Sequence, residues 1–520
     1  MSNAITLPIW TSLESLSQEC FQTPDGIERV DVAVIGAGIA GLATALNLVD
    51  EGRHVAVFDR DGFGAGESLR TTAHLASALD DRYGHLARWH GSDGARLAAT
   101  SHAAATDWIE AFCSRQARRC GFRRVPGYLF AHDGDPAPLR EEYEAAAHAG
   151  LKVSLLERGL PSLPQLGALL EFRDQARVDM DRLLEALAEE LRARAVSFVR
   201  AEVTAVEGGD EVGLSLRSDQ RIVAAAAVVA SNVPFHEMVA IHTKQAPYRT
   251  YVVAGNCRAD AVPSLLPDAL LWDDGDPYHY LRLREDPERD GRWQVLVGGE
   301  DHKTGQAEDP QAYVRLQAWT RRRFPELVES FSHAWSGQVL EPVDGLGFIG
   351  ADAGGADNVY VITGDSGNGV THGVIGGMLV GDLIVGRPNP WRDLYDPARK
   401  PVRAAGGWLR ENANVVAQYR DWLEFGGGLK DLARGSGAVV RKGLHRVAVY
   451  RDGDGALHAF SARCPHLGCA VRWSRQEKSW DCPCHGSRFA AQDGAVLNGP
   501  ANAPLAPSEL DADDDTAPKR

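Results

Sequence analysis

Hydrophobic and polar positions change their period several times along this chain, and each change marks a new kind of element. Asp31 to Val34 is a short β-rich apolar run that ends in Gly36-Ala37-Gly38-Ile39-Ala40-Gly41, and an Ala/Leu-rich stretch of helical character follows to Val49. After Gly52 a second apolar run, Val55 to Phe58, stops at Asp59. Lys244 to Gly299 alternates polar and apolar residues, as in Tyr248 to Val253, Tyr278 to Leu283 and Trp293 to Val297, which predicts several antiparallel strands. Asn358 to Gly364 reads as another buried strand, running into Asp365-Ser366-Gly367-Asn368-Gly369-Val370-Thr371. From Asp396 an Arg-rich helical stretch gives way to Gly426-Gly427-Gly428, a linker signal, and then to short strands at Ala438 to Val440 and His445 to Tyr450. The end of the chain, Asp511 to Arg520, is acidic and is expected to be disordered.

The first of these units is strand, Gly-rich turn, helix, strand and acid in the order of a dinucleotide-binding fold. Gly36 permits the tight turn, Gly38 lets the backbone approach a pyrophosphate, and Gly41 lets the helix pack closely on the strand, with the helix N-terminus facing the phosphate charge. Asp59 is placed to accept hydrogen bonds from ribose hydroxyls, which disfavours a 2′-phosphate. Ala37, Ile39, Ala40, Arg60 and Ser68 are candidate cofactor contacts around the same turn. FAD and NAD are not separated by this unit alone. A second strand and Gly-rich turn so late in the chain suits a cofactor with two ends to hold, and no second complete G-x-G-x-x-G unit exists for a pyridine nucleotide.

At 520 residues the chain is too long for one ordinary core, so two or three domains are expected. No apolar run reaches the length of a membrane span, and Met1 to Thr23 is mixed polar, unlike a secretory signal, so a cytoplasmic protein is expected. A net charge of -16 argues against nucleic acid as a partner. The charge is unevenly shared: residues 430–500 hold 11 Lys and Arg against 6 Asp and Glu, so the acidity lies elsewhere. Of the 8 cysteines, Cys20, Cys113, Cys120 and Cys257 are scattered, which suggests free buried thiols, and the rest fall together near the C-terminus.

That C-terminal stretch places Cys464-Pro465-His466 and Cys482-Pro483-Cys484-His485 on two loops, so that two thiolates and two imidazoles can converge on one metal, iron or zinc. Zinc sites usually space each ligand pair by two or more residues, whereas the first pair here has one residue between ligands. The stretch resembles the Rieske 2Fe-2S family in its cytochrome bc-type form, C-x-H-x-G-C followed by C-P-C-H-G-S. The resemblance implies that Cys464 and Cys482 hold one iron and His466 and His485 the other, and that Cys469 and Cys484 form a disulfide between the loops. Asn498-Gly499-Pro500 resembles the proline loop that covers such clusters, Ser487 matches a serine that donates to cluster sulfur, and Phe489 stands where high-potential members carry tyrosine.

From about Val30 to Pro397, the Gly-rich turns together with Trp335-Ser336-Gly337 and Asp344 to Gly350 resemble the FAD-dependent D-amino acid oxidase-type family, which includes glycine and sarcosine oxidases. The resemblance implies that Gly36 to Gly41 hold the FAD pyrophosphate, and that Gly364, Asp365 and Gly367, Asn368, Gly369, Val370 and Thr371 aim a helix N-terminus at the flavin pyrimidine ring. Gly66 to Ser77, with Thr71, Thr72 and Ala73, would pass along the isoalloxazine, and Val203 and Ser231 would complete the adenine side. Asp276-Pro277-Tyr278-His279-Tyr280-Leu281-Arg282, followed by Val297-Gly298-Gly299, is similar to the γ-glutamylputrescine oxidoreductase branch, which oxidises amines. Tyr248, Arg249, Tyr251, Tyr280 and Arg282 are the candidates for orienting an amine or a carboxylate-bearing substrate. His74 and Cys257 are nucleophiles, but neither is expected to carry flavin covalently.

Asp81, His85 and His90 superficially suggest the mononuclear iron site of an oxygenase, yet i and i+5 side chains on a helix diverge by about 140°. The expected architecture is α/β (α+β): a doubly wound FAD-binding domain with an inserted antiparallel substrate-binding sheet, plus an all-β Rieske domain. Its parts are an extension over 1–28, a flavoprotein over 29–397 (FAD-binding 29–110, 175–240 and 335–397; substrate-binding 111–174 and 241–334), a linker over 398–429, a Rieske domain over 430–508 and the tail 509–520. The expected function is FAD-dependent oxidation of an amine or amino acid at a C–N bond, with electrons draining one at a time through the cluster to an external protein or quinone. Two alternatives stand beside it: a reductase or monooxygenase fed electrons through the Rieske domain, and a plain oxidase whose Rieske domain senses redox state or docks a partner.

Overall fold

The computed structural model describes residues 7–116, 120–236, 239–306, 311–422, 432–442 and 445–510. The glycines Gly426 to Gly428 and the acidic tail Asp511 to Arg520 lie outside the described residues. The chain divides into two compact units, one of Met1–Asn232, Thr250–Asp301 and Gln311–Ala404, the other of Val233–Arg249, His302–Pro310 and Ala405–Arg520.

Continuous Val, Ile and Ala runs make strands that can be buried on both faces, and the centre of the first unit is a parallel sheet of that kind. Ser197–Arg200, Val55–Asp59, Arg29–Ile35, Arg221–Val229 and Val359–Thr363 are successive parallel neighbours. The register sets Val34 beside Val57 on one side and beside Val228 on the other. Two helices cover this sheet, Ile39–Asp50 and Gly369–Ile384. They meet through glycine: a Cβ on Gly373 would lie 3.1 Å from the Ala40 nitrogen, and one on Gly377 would lie 2.7 Å from the Ala43 carbonyl carbon. Further along, Gly381 faces the Asn47 side chain. Contacts that ascend together in both helices make them parallel, so their N-termini emerge side by side.

A second sheet carries the order Val328–Pro342, Gln245–Cys257, Trp293–Lys303, His279–Glu285, Leu270–Asp273, Arg123–Phe130, Leu169–Arg177 and His74–Leu75. The antiparallel expectation holds for Leu270–Asp273 on His279–Glu285 and for His279–Glu285 on Trp293–Lys303. It fails at one seam, where Leu270–Asp273 runs parallel to Arg123–Phe130, because these strands come from separate stretches of chain rather than from a hairpin. Alternation splits the sheet into two faces. Tyr251, Val253, Leu281, Leu283, Val295 and Val297 pack with Trp319 of the helix Ala312–Arg323. Tyr280 and Arg282 point the other way.

Trp10 is buried, its indole N–H donates to the Thr71 carbonyl at 2.7 Å, and the guanidinium groups of Arg282 and Arg284 lie over its ring.

The second unit contains two small antiparallel sheets. One is Ser436–Lys442, His445–Arg451 and Leu457–Ser461; the other is Arg472–Ser474, Ser479–Asp481, Arg488–Ala490 and Val496–Asn498. Within the stretch expected as linker, Ala405–Gln418 is a helix. The segments Val233–Arg249 and His302–Pro310 also belong to this unit, a grouping that no local pattern announces.

Candidate redox sites

In the first unit the Gly-rich turn closes as its glycines require. Gly36 has φ +114°, and a Cβ there would meet the Ala230 carbonyl oxygen at 2.5 Å; a Cβ on Gly41 would lie 1.8 Å from the Gly36 carbonyl oxygen. The Ile39 N–H donates to Ser68 Oγ at 3.0 Å, and Asp59 accepts from the N–H groups of Ala37, Asp61 and Gly62, each at 2.8 Å. Burial raises the Asp59 pKa against those bonds. Neither Gly38 nor Asn368, the caps of the two parallel helices, makes a side-chain capping bond. Two adjacent helix N-termini at the ends of parallel strands, the first with its Ile39 N–H held by Ser68 Oγ, present positive potential to an anion. The donor set therefore fits a cofactor with a pyrophosphate.

Of the other expected cofactor contacts, Thr72 and Ala73 are buried, Thr71 Oγ1 accepts from the Ala73 N–H at 3.0 Å, and Thr72 Oγ1 lies 3.0 Å from His74 Nδ1. His74 Nε2 is buried without a hydrogen-bond partner, and burial pushes the His74 pKa down to about 3. Thr371 Oγ1 lies 2.8 Å from His102 Nδ1. Val203 is buried at the start of the hairpin strand Val203–Glu207, Arg60 forms a surface ion pair with Asp61, and Ser231 lies between the Arg221–Val229 strand and Asn232, which has φ +67°.

Beside His74 lies a cleft lined by acids and tyrosines. Tyr280 meets the His74 ring edge-on at 5.5 Å, stacks on Tyr278 at 5.6 Å, and its hydroxyl lies 3.1 Å from Thr250 Oγ1. The Tyr278 hydroxyl donates to Asp80 at 3.5 Å. Asp80 keeps an open surface, yet enough protein surrounds it that burial pushes its pKa up to about 6; a side chain of that kind lines a cleft. Burial, followed by other influences that include the Asp80 charge, pushes Asp301 up to about 7. Asp81 rises to about 6 and Asp365 to about 7, burial again leading in both. Ser366 Oγ lies 2.6 Å from Asp81 and 2.8 Å from Glu341. One hydroxyl proton cannot serve two carboxylates, so at least one of the pair is protonated. Glu341, raised well above its ordinary value by burial and then by Asp81, is that one.

Of the five residues expected to orient substrate, only Tyr280 faces this cleft. Tyr251 stands on the opposite face of its strand, buried in the core with its ring edge-on to Tyr313 at 5.1 Å. The Arg282 guanidinium, fully buried, donates to the carbonyls of Ala73 at 2.8 Å and Val178 at 3.0 Å and lies 3.5 Å from Asp179; it braces backbone rather than waiting for a carboxylate. Tyr248 and Arg249 belong to the second unit, where Lys303 lies over the Tyr248 ring and Arg249 pairs with Glu477 at 3.2 Å. The cleft acids were legible only as isolated residues, because Asp80, Asp301, Glu341 and Asp365 come from four separate stretches of sequence.

The oxygenase constellation does not assemble. Ser366 engages Asp81, His90 Nε2 lies 2.8 Å from the Asp344 carbonyl, and His85 packs on Trp89. Gly91, with φ +76°, breaks the helix Tyr83–Arg115 just after them.

In the second unit the two cysteine-histidine loops converge. The rings of His466 and His485 meet at 4.9 Å, perpendicular. Cys464 and Cys482 are buried and free, while Cys469 and Cys484 form the expected disulfide with 6.5 Å between Cα atoms. The Cys482 thiol beside it holds Cys464 below its ordinary pKa, while Cys482 itself is raised by the same contact and by burial, so one thiolate is ready and one proton is shared. Burial, with the imidazoles of His466 and His242, pushes His485 down to about 3, which keeps it neutral, the form that ligates metal. Its Nδ1 is buried without a hydrogen-bond partner. Two thiols and two imidazoles converging with an unsatisfied ring nitrogen fit an iron-sulfur centre with mixed ligation. Ser487 Oγ accepts from the Ala501 N–H at 3.0 Å, next to Gly499-Pro500, and also bonds the Cys464 thiol.

Comparison with known proteins agrees with both sites. Residues 31–383 match the family model described as FAD dependent oxidoreductase, and residues 427–509 match the Rieske 2Fe-2S domain. YhfW of Bacillus subtilis (strain 168), whose name gives it as a Rieske 2Fe-2S iron-sulfur protein, is 28% identical over 494 residues, which cover 92% of this chain and 94% of that one. The cytochrome b6-f complex iron-sulfur subunit of Prochlorococcus marinus is 47% identical over 152 residues, 28% of this chain and 78% of that protein. Among solved structures, glycine oxidase from Geobacillus kaustophilus shares the fold with a TM-score of 0.58 at 18% identity, covering 72% of this chain and 99% of that one. L-amino acid deaminase from Proteus vulgaris shares it with a TM-score of 0.57 at 15% identity, over 76% and 100%. Among the described residues no helix is long and apolar enough to cross a membrane.

Proposed function

The chain belongs to the FAD dependent oxidoreductase family and carries a C-terminal Rieske 2Fe-2S domain, and on that premise we propose that it dehydrogenates a cationic amine at a C–N bond and passes the electrons through the cluster to an external acceptor. When bound, FAD accepts the hydride that leaves the substrate carbon, and the cluster carries electrons one at a time. The observation that carries the substrate class is the cleft beside His74. Asp80 and Asp301 supply carboxyl groups, with Arg82 the cation that acts on Asp80, and the stacked rings of Tyr278 and Tyr280 supply faces for a cation. A carboxylate-bearing substrate would meet repulsion there, since Arg282 is committed to backbone carbonyls.

The same reading assigns the residues. Gly36 to Gly41, Asp59, Ser68, Thr71 to Ala73 and Gly364 to Thr371 hold FAD; Cys464 and Cys482 hold one iron and His466 and His485 the other. Within the cleft, Asp301 takes the ammonium group and orients it. A cytoplasmic setting belongs to the proposal too, since among the described residues Cys20, Cys113, Cys120 and Cys257 form no disulfide.

Anaerobic mixing with a panel of di- and polyamines and of neutral and acidic amino acids tests the reading by flavin absorbance. Diamines are expected to bleach the flavin and then develop the cluster's reduced EPR signal. Bleaching by amino acids alone would overturn the substrate class, and bleaching without cluster reduction would overturn the route.

A further inference from the structure

An iron-bound imidazole keeps one nitrogen on the metal and turns the other outward, so the outer edge of the two histidines is where a redox partner from solution would approach. In this chain that edge is occupied. The ring of His242 stands edge-to-face with His466 at 5.2 Å and with His485 at 6.3 Å, all three within the second unit. His242 is only 4% exposed and His466 9%, so these two rings meet each other rather than solvent, while His485 is half-buried.

The cover is built, not incidental. The turn bearing His242 is closed by the Thr243 N–H donating to the Val239 carbonyl and the Lys244 N–H to the Ile241 carbonyl, and Asn412 Nδ2 holds the Thr243 carbonyl at 3.0 Å from the helix Ala405–Gln418. The neighbouring turn is pinned to the second cluster loop: Gln306 Nε2 donates to the Pro483 carbonyl at 2.8 Å and to Asn414 Oδ1 at 2.7 Å, and a Cβ on Gly305 would lie 2.8 Å from the Pro483 nitrogen. The first cluster loop is tied by the Tyr419 hydroxyl to the Leu467 carbonyl at 2.7 Å.

We propose that His242 is a positioning residue that covers the imidazole edge of the cluster on its His466 side and slows the access of small redox partners from solution to that edge. The inference goes beyond the substrate reading and does not depend on it. It concerns access, which can be measured on protein reduced with dithionite and without any amine. A small water-soluble benzoquinone must reach an outer imidazole N–H to be reduced at this edge; it takes one electron from each of two reduced clusters and two protons from water, becoming the hydroquinone.

The test compares the holoprotein with His242→Ala and His242→Phe in stopped flow. His242→Ala is expected to be oxidised by the quinone at least tenfold faster, and His242→Phe, which keeps the ring volume, near the wild-type rate. Pulsed EPR after transfer into deuterated water gives a second readout: the outer imidazole protons exchange slowly in wild type and fast in His242→Ala. Where His242→Ala loses its cluster, His242→Asn takes its place. Equal quinone rates and equal exchange in wild type and the small-side-chain variant would overturn the proposal.

Discussion

The two redox sites solve opposite problems of charge. In the cleft, carboxyl groups are drawn together from separate segments and burial lifts Asp80 to about 6 and Asp301 to about 7, so that charge there is unstable until a cation arrives. At the cluster loops, burial drives His485 down to about 3 and removes charge, leaving neutral nitrogen for metal. Desolvation is the leading cause in both places, and it acts in opposite senses because it always penalises the charged form, raising an acid and lowering a base. On the proposed reading, one site is thereby prepared for a charged ligand that comes and goes, the other for a resident centre.

Removing a cluster ligand is the largest break. Cys482→Ser should abolish the cluster's EPR signal while flavin content and amine-driven bleaching persist; loss of bleaching as well would show that the two sites do not stand apart. The mirror experiment is Gly41→Val. A Cβ there would sit 1.8 Å from the Gly36 carbonyl oxygen, so the turn must open, and flavin content is expected to fall by more than about tenfold while the EPR signal remains.

The two sites also differed in how far the sequence revealed them. The two cysteine-histidine loops were legible because their residues lie on two short stretches of fixed spacing, and the disulfide that the family resemblance implied joins them. The Gly-rich turn was legible for the same reason. The cleft was not: strand alternation placed Tyr251 on the face opposite Tyr280, and choosing between faces needs the register of a sheet assembled from distant strands. His242 was missed because its segment joins the second unit only through tertiary packing.

Smaller effects sharpen the electrostatic contrast. Asp301→Asn should raise KM for a diamine about 10- to 100-fold, about 1.4–2.8 kcal/mol of cation binding, with a smaller change in kcat. In wild type, kcat/KM should fall as pH drops through about 7 to 6, where Asp301 and then Asp80 take up protons. The sign for stability is the reverse. Each folded pKa lies above the ordinary carboxyl value, so the folded state binds more protons between about pH 4 and 7, and stability declines as pH rises through that window. A bound diamine should consequently raise Tm more at pH 8 than at pH 5; equal shifts would show that these carboxyls do not meet the cation.

Phe489→Tyr is the gentlest probe, and it separates a buried ring from a tuning group. Phe489 is fully buried in the strand Arg488–Ala490, beside Ser487, whose hydroxyl already bonds Cys464. A tyrosine hydroxyl at this position that reaches a cluster sulfur would stabilise the reduced, more negative centre by about 1 kcal/mol, which for one electron raises the potential by about 40 mV. If the ring is aimed elsewhere, the added hydroxyl is buried without a partner, and the variant should lose Tm with its potential unchanged. Potentiometry and a melting curve on the same preparation decide between the two, because a bonded hydroxyl moves the first and an orphaned one moves the second.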